Sequence, residues 1–349
     1  MNFGTFHVLH QPDGRSEPSE RTIYETQLEL MVAAEDLGFE SVWLAEHHFS
    51  NVGVCSSPQV LGAAVAARTK RLRIGMGIIL LALHDPVHIA EQLAVLDVIS
   101  DGRLDVGIGR ASGNHEYSGF NISFDETRRR VDEGLTMLRG LWTEDPFSYV
   151  GPFRTIRDVS VRPRPIQRPY PPLYFACNSA DSVPIAARHG LPMMSSFLVL
   201  DDALNERREV YRRVSAEHGH APEAVEERLA RTWNTRWVYV DEDERVARAA
   251  FREHLLEYLE SVSRHSGRIR VSPDERDAVY QEYLRTEAAF FGTPDRVADQ
   301  IGRFREKTGI ENLLCVMGVG GMDPAAIRRS MELFAAKVLP QFSPSPALA

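Results

Sequence analysis

Short apolar runs alternate with stretches of helical periodicity along most of the 349 residues. Leu30, Ala34 and Leu37, then Ile89, Leu93 and Leu96, then Ile327, Met331, Phe334 and Val338 recur at three- and four-residue spacing, which places each set on one helix face. The runs at 3–9, 42–45, 72–81, 104–108, 173–177, 193–197, 235–240 and 313–317 are apolar throughout rather than at alternate positions. Strands apolar on both faces belong in a buried parallel sheet. Eight of them, mostly separated by helices, predict an α/β fold of the (β/α)8 TIM-barrel type, with an open doubly wound sheet as the alternative.

The element boundaries carry their own chemistry. Ser57-Pro58, Asp85-Pro86, Thr293-Pro294 and Asp323-Pro324 each set a capping oxygen before a proline, the order that opens a helix. Gly38, Gly190 and Gly309 each stand where a left-handed residue would close one, shortly before an apolar stretch. Two segments break the repeat. Residues 144–167 are rich in proline, glycine and aromatics and read as a hairpin insertion. Residues 261–286 are polar and arginine-rich and read as a long loop beside short helix, either an active-site lid or a solvated excursion. One barrel domain over 1–342 and a frayed proline/serine tail at 343–349 are expected.

Composition narrows the function. There are 49 acidic and 40 basic residues, for a net charge of −9. That field disfavours nucleic acid and anionic lipid as partners. The three cysteines, Cys55, Cys177 and Cys315, are far apart and fit neither a disulfide framework nor a metal spacing, as expected of a cytoplasmic protein. The N-terminal segment lacks a signal-peptide pattern. The longest apolar run, 75–83, is well short of the roughly 20 residues that span a bilayer.

In a barrel of this kind, chemistry sits where strands end and loops begin. That rule selects Glu46, His47, His48 and Phe49 after the second strand, Leu83, His84 and Asp85 after the third, Arg110 and Ser112–His115 after the fourth, and Asn178, Ser179, Asp181 and Ser182 after the fifth. Adjacent imidazoles diverge and lack a second histidine at helical spacing, so no metal is expected; one of the pair suits proton transfer near neutral pH. Gly107 and Gly109 follow a strand, but the third glycine of a dinucleotide fingerprint is replaced by Ser112 and no acidic residue follows at the required distance. A nicotinamide-binding unit is therefore rejected, and Arg110 reads as an anion ligand. Asn178-Ser179-Ala180-Asp181-Ser182 opens a helix. Plain N-capping explains it alone, while Arg110 and Arg128 nearby favour a phosphate.

Taken together, Leu44-Ala45-Glu46-His47-His48-Phe49, Gly107-Ile108-Gly109-Arg110, Asn178-Ser179-Ala180-Asp181-Ser182 with Gly190-Leu191-Pro192-Met193, and Gly292-Thr293-Pro294 through Leu333-Phe334 resemble the bacterial luciferase-like flavin-dependent monooxygenases in collinear order. The resemblance implies reduced FMN (FMNH2) at the C-terminal face of the barrel. Its phosphate would be held by Arg110, Ser179 and Ser182, with Arg128, Asn178 and backbone help from Ser112. His47 matches the family's catalytic histidine, flanked by Glu46 and His48. A non-proline cis peptide beneath the ring would fall at Gly77-Ile78. Three departures stand out. Gly109 replaces a cysteine, the cis pair is Gly-Ile rather than two alanines, and 261–286 matches the family's mobile loop poorly.

The activity so implied is oxygen activation as a flavin C4a-(hydro)peroxide and oxidation of a hydrophobic small molecule, an aldehyde or an aromatic, polyketide-type metabolite. Such a site must stay dry, and Ile79, Leu81 and Met193 are candidates for its wall, with core packing as the alternative. Without a nicotinamide-binding unit, a separate NAD(P)H:flavin reductase must supply the cofactor. An F420-dependent hydride-transfer enzyme of the same fold and a non-catalytic flavin-binding protein are the competing readings. A small-residue face at 60–67 suits the homodimer common in this family, with burial inside the monomer as the equal alternative; a homodimer is expected.

Overall fold

Eight strands at the predicted places close into a ring in the computed structural model, which describes residues 1–111, 113–266 and 271–342. The strands in chain order are β1 (Asn2–His7), β2 (Ser41–Leu44), β3 (Arg73–Ile79), β4 (Leu104–Ile108), β5 (Phe147–Val150), β6 (Thr155–Val159), β7 (Leu173–Ala176), β8 (Met193–Ser195), β9 (Trp233–Val240), β10 (Ala289–Gly292) and β11 (Asn312–Val316). The ring runs β1-β2-β3-β4-β7-β8-β9-β11, every pairing parallel. It closes where Met194 of β8 pairs with Trp233 of β9. This is the (β/α)8 barrel, and the open sheet is excluded.

β10 is the addition that the hydrophobic pattern did not reveal. β8 has 3 residues and β9 has 8, so the second half of β9 outruns its neighbour. β10 takes up those hydrogen bonds, pairing Ala289–Gly292 with Trp237–Val240. The insertion at 144–167 does contain a hairpin, the antiparallel pair β5 and β6.

Helix ends follow the sequence closely. Asp85, Thr293 and Asp323 accept from the backbone N–H of Val87, Arg296 and Ala325. Ser57 makes no such bond, although its proline still opens the helix Pro58–Ala66. Gly38, Gly190 and Gly309 have φ of 83°, 60° and 65°, a region costly to any residue with a Cβ.

The described residues of the segment 261–286 are mostly helical rather than a long loop. The helix Glu244–Ser266 runs into it and the helix Arg276–Arg285 occupies its second half. The charged residues that suggested a loop tie these helices together. Arg276 pairs with Glu253 at 2.8 Å and with Glu260, and Arg252 pairs with Asp277 at 3.1 Å. The tail expected at 343–349 lies outside the described residues.

Two apolar clusters divide the interior. The larger packs the helices on the outside of the ring. The smaller joins Trp43, Tyr174, Met194, Trp233 and Leu314, from five different strands, inside it. The rings of Trp43 and Tyr174 meet edge to face at 5.6 Å across the lumen. Phe6 and Ile78 rest on this plug, which closes the barrel below its C-terminal mouth. Among the described residues no helix is long and apolar enough to cross a membrane.

Candidate active site

At the C-terminal end of β2 the chain passes through Glu46, His47 and His48, and each of the three has a different set of contacts. The Glu46 side chain is fully buried. Its Oε1 bonds to Nε2 of His48 at 2.8 Å and to Nε2 of His84 at 2.6 Å, while Oε2 accepts from the Leu80 backbone N–H at 3.0 Å. Burial alone would raise this carboxyl, but the bonds from both histidines and Leu80 outweigh it and hold it below the ordinary value. Glu46 thus stays ionised and joins the loop after β2 to the end of β3.

Glu46, His48 and His84 are also the one described group of three donors close enough to share a metal ion. Two ligands about 2.1 Å from one ion sit roughly 3.0–3.4 Å from each other. The separations of 2.6 and 2.8 Å are shorter and fit direct hydrogen bonds.

His47 turns the other way. Its Nδ1 lies 3.5 Å from Oε1 of Glu116, on the helix Asn114–Gly119 after β4. The same carboxylate accepts from the backbone N–H groups of His48 and Gly113. Burial opposes the charge on Glu116, but the contact with His47 and these amides overcome it, so its carboxyl is also held below the ordinary value.

A cavity of about 800 Å³ including its mouth opens beside His47. Glu46, His47, Gly77, Ile78, Arg110 and Asn178, six of the residues expected from the sequence, line it together with Glu116. The Gly77–Ile78 peptide on its floor is cis. Phe6, Val8, Val52, Phe197, Leu198 and Val262 supply apolar wall, and Tyr258 adds a phenol that burial keeps protonated. Ile79, Leu81 and Met193 do not line it. All three are buried in the core between ring and helices, so the core-packing alternative holds for them.

His48, Ser179, Ser182 and Arg128 are not among the residues that line this cavity. His48 faces an adjoining cleft with Phe49, Asn51 and His265. Ser179 and Ser182 bond to each other through their hydroxyls at 2.7 Å, at the turn before the helix Val183–His189. Arg128 forms an exposed ion pair with Asp181 beside that turn. Asn178 accepts from the Ser196 backbone N–H at 2.7 Å, and Arg110 stacks over Phe124 at 5.9 Å. Ser112 lies outside the described residues.

Sequence reasoning did not single out Glu116, Tyr258 or Val262. The last two come from the helix that crosses the barrel mouth, within or next to the segment read as a loop. His84 was visible as a strand-end residue, but its bond to Glu46 spans 38 positions.

Known proteins bear on this arrangement. Residues 1–312 match the luciferase-like monooxygenase family model. The chain belongs to that family. As a luciferase-like monooxygenase it is 27% identical to the alkanal monooxygenase alpha chain of Photorhabdus luminescens, over 97% of this chain and 96% of that one. Monooxygenase RslO1 from Streptomyces bottropensis superposes with a TM-score of 0.87 at 31% identity, over 98% of this chain and all of that one. The oxygenating constituent of 3,6-diketocamphane monooxygenase of Pseudomonas putida, solved with FMN, has a TM-score of 0.77 at 22% identity over 98% of each chain, a likeness of fold. This luciferase-like protein is an enzyme of the flavin-dependent monooxygenase class.

Proposed function

We propose that the enzyme is the oxygenase half of a two-component system, taking reduced FMN from a separate NAD(P)H:flavin reductase. It uses dioxygen to oxidise a hydrophobic small molecule, an aldehyde or an aromatic, polyketide-type compound. The observation that carries this is one cavity lined together by His47, Gly77, Ile78, Arg110 and Asn178. A cationic side chain, an amide and the paired hydroxyls of Ser179 and Ser182 have the donor chemistry for a phosphate.

Reduced flavin supplies two electrons to dioxygen when bound. The protein's part is to position, dry and protonate. Phe6, Val8, Val52, Phe197 and Val262 exclude water from the cavity. Glu116 holds Nδ1 of His47, which leaves Nε2 to take or give a proton at the ligand. Glu46 and His48 act through that loop: Glu46 bonds to His48, His84 and the Leu80 backbone N–H, and so keeps the chain on either side of His47 in place. Arg110, Ser179 and Ser182 would hold the phosphate, with Arg128, Asn178 and Ser112 as further candidates.

A homodimer through the helices Pro58–Ala66 and Pro86–Ile99 belongs to the same reading. Val60 is 70% exposed and Ile99 49%, an apolar face that a second copy would cover.

Mixing the protein with reduced FMN, labelled dioxygen and a panel of hydrophobic carbonyl compounds tests the proposal. One labelled oxygen atom in a product supports it. Turnover with reduced F420 alone, and no label incorporated, rejects it.

A further inference from the structure

The Gly107-x-Gly109 pair that imitates a dinucleotide turn has a different use. Both glycines lie at or just beyond β4, beside the bulge in β3 between Met76 and Ile79. A Cβ on Gly109 would come within 2.4 Å of Cδ1 of Ile78 and 2.8 Å of Cβ of Ala176. A Cβ on Gly107 would come within 2.9 Å of Cγ2 of Ile78 and 2.5 Å of the Met76 carbonyl. Ile78 therefore lies back over β4 in a slot made by two missing side chains, with Ala176 of β7 at its end. Ile78 itself lines the cavity beside Gly77.

We infer that Gly109 and Ile78 form a coupled determinant of what the cavity admits: glycine at 109 lets the Ile78 side chain recline, and this keeps the floor flat for a planar tricyclic ring. The inference rests on the flavin reading above and assigns the ring's fit to a residue that never touches it. An isoleucine at 78 requires its neighbour on β4 to lack a side chain.

The test separates the two clashes that a side chain at 109 would make. Gly109→Ala combined with Ala176→Gly removes the conflict on β7 and leaves only the one with Ile78, whose far end must then swing off β4. FMN affinity, measured by equilibrium titration, should fall roughly tenfold or more, in proportion to an overpacked contact. Adding Ile78→Val deletes Cδ1, the atom that clashes, and affinity should return to within about threefold of Ile78→Val alone. Circular dichroism on each variant confirms the fold, and the Ile78 δ1-methyl resonance of the ligand-free protein should move in Gly109→Ala/Ala176→Gly. Unchanged FMN affinity in that variant, or no recovery on adding Ile78→Val, overturns the inference and leaves the flavin reading standing. Failure of the wild-type protein to bind FMN overturns the flavin reading itself, and the inference with it.

Discussion

The Glu116 carboxylate lies 3.5 Å from Nδ1 of His47 and accepts from the next backbone N–H at 3.2 Å. One buried acid after β4 thus fixes both the ring and the main chain of the residues after β2. If His47 moves a proton at the ligand, its orientation depends on this contact. Glu116→Gln should lower turnover by about 10–100-fold, and His47→Ala by about 100-fold or more, the range expected for a positioned acid or base. FMN affinity should change less than about threefold in either. Steady-state rates with reduced FMN, set beside equilibrium FMN binding, check both halves; wild-type turnover in His47→Ala would remove it from the chemistry.

Arg110 is a cationic side chain that lines the same cavity as His47. A guanidinium on a phosphate is a charge-assisted contact of about 1.5–3 kcal/mol, so Arg110→Ala should weaken FMN about 10–100-fold. Riboflavin, which lacks the phosphate, should bind wild type and variant alike. Calorimetry with both ligands decides, and an equal loss for riboflavin would move the phosphate elsewhere.

The acid limb of stability is set away from this chemistry. Burial lowers His7 and His10 from an ordinary 6.5 to about 4 each. His7 is held by Gln27, and His10 is surrounded by Asp13, His254 and Arg264. The unfolded chain takes up these protons near pH 6.5, and the folded one only near pH 4. Stability is therefore complete above pH 6.5 and falls as the pH drops towards 4, by about 2 kcal/mol per histidine between pH 7 and pH 5. Below that, the depressed carboxyls of Glu46 and Glu116 add a further loss. Denaturant unfolding at the two pH values checks it, and His7→Gln should remove about half of the difference.

The features legible in the sequence were those with local causes. Caps at Asp85 and Thr293, left-handed glycines at 190 and 309, and eight doubly apolar runs need only neighbouring residues to declare themselves. His47 and Arg110 could be found because a barrel puts function at strand ends. What escaped depends on distance or on length mismatch. Glu116 matters only because its helix folds back on a residue 68 positions earlier. β10 exists because β9 is longer than β8. The helices inside 261–286 hide behind polar faces whose charges pair with each other, so their periodicity is muted.

The exposed face of Val60, Val95, Val98 and Ile99 gives an assembly prediction. Sedimentation at micromolar concentration should show a dimer for the wild type. Val60→Glu would bury an unpaired charge at that face and shift the protein to monomer, weakening association at least about tenfold. A wild-type monomer, or a variant that still dimerises, would place the contact elsewhere or nowhere.

The central claim is that this cavity is a flavin site with His47 at its chemistry. A crystal structure of the protein with FMN tests it most directly. The account predicts the tricyclic ring lying over Gly77–Ile78 within reach of His47, and the phosphate against Arg110, Ser179 and Ser182. Density for the ring outside this cavity, or a phosphate remote from Arg110, would contradict it.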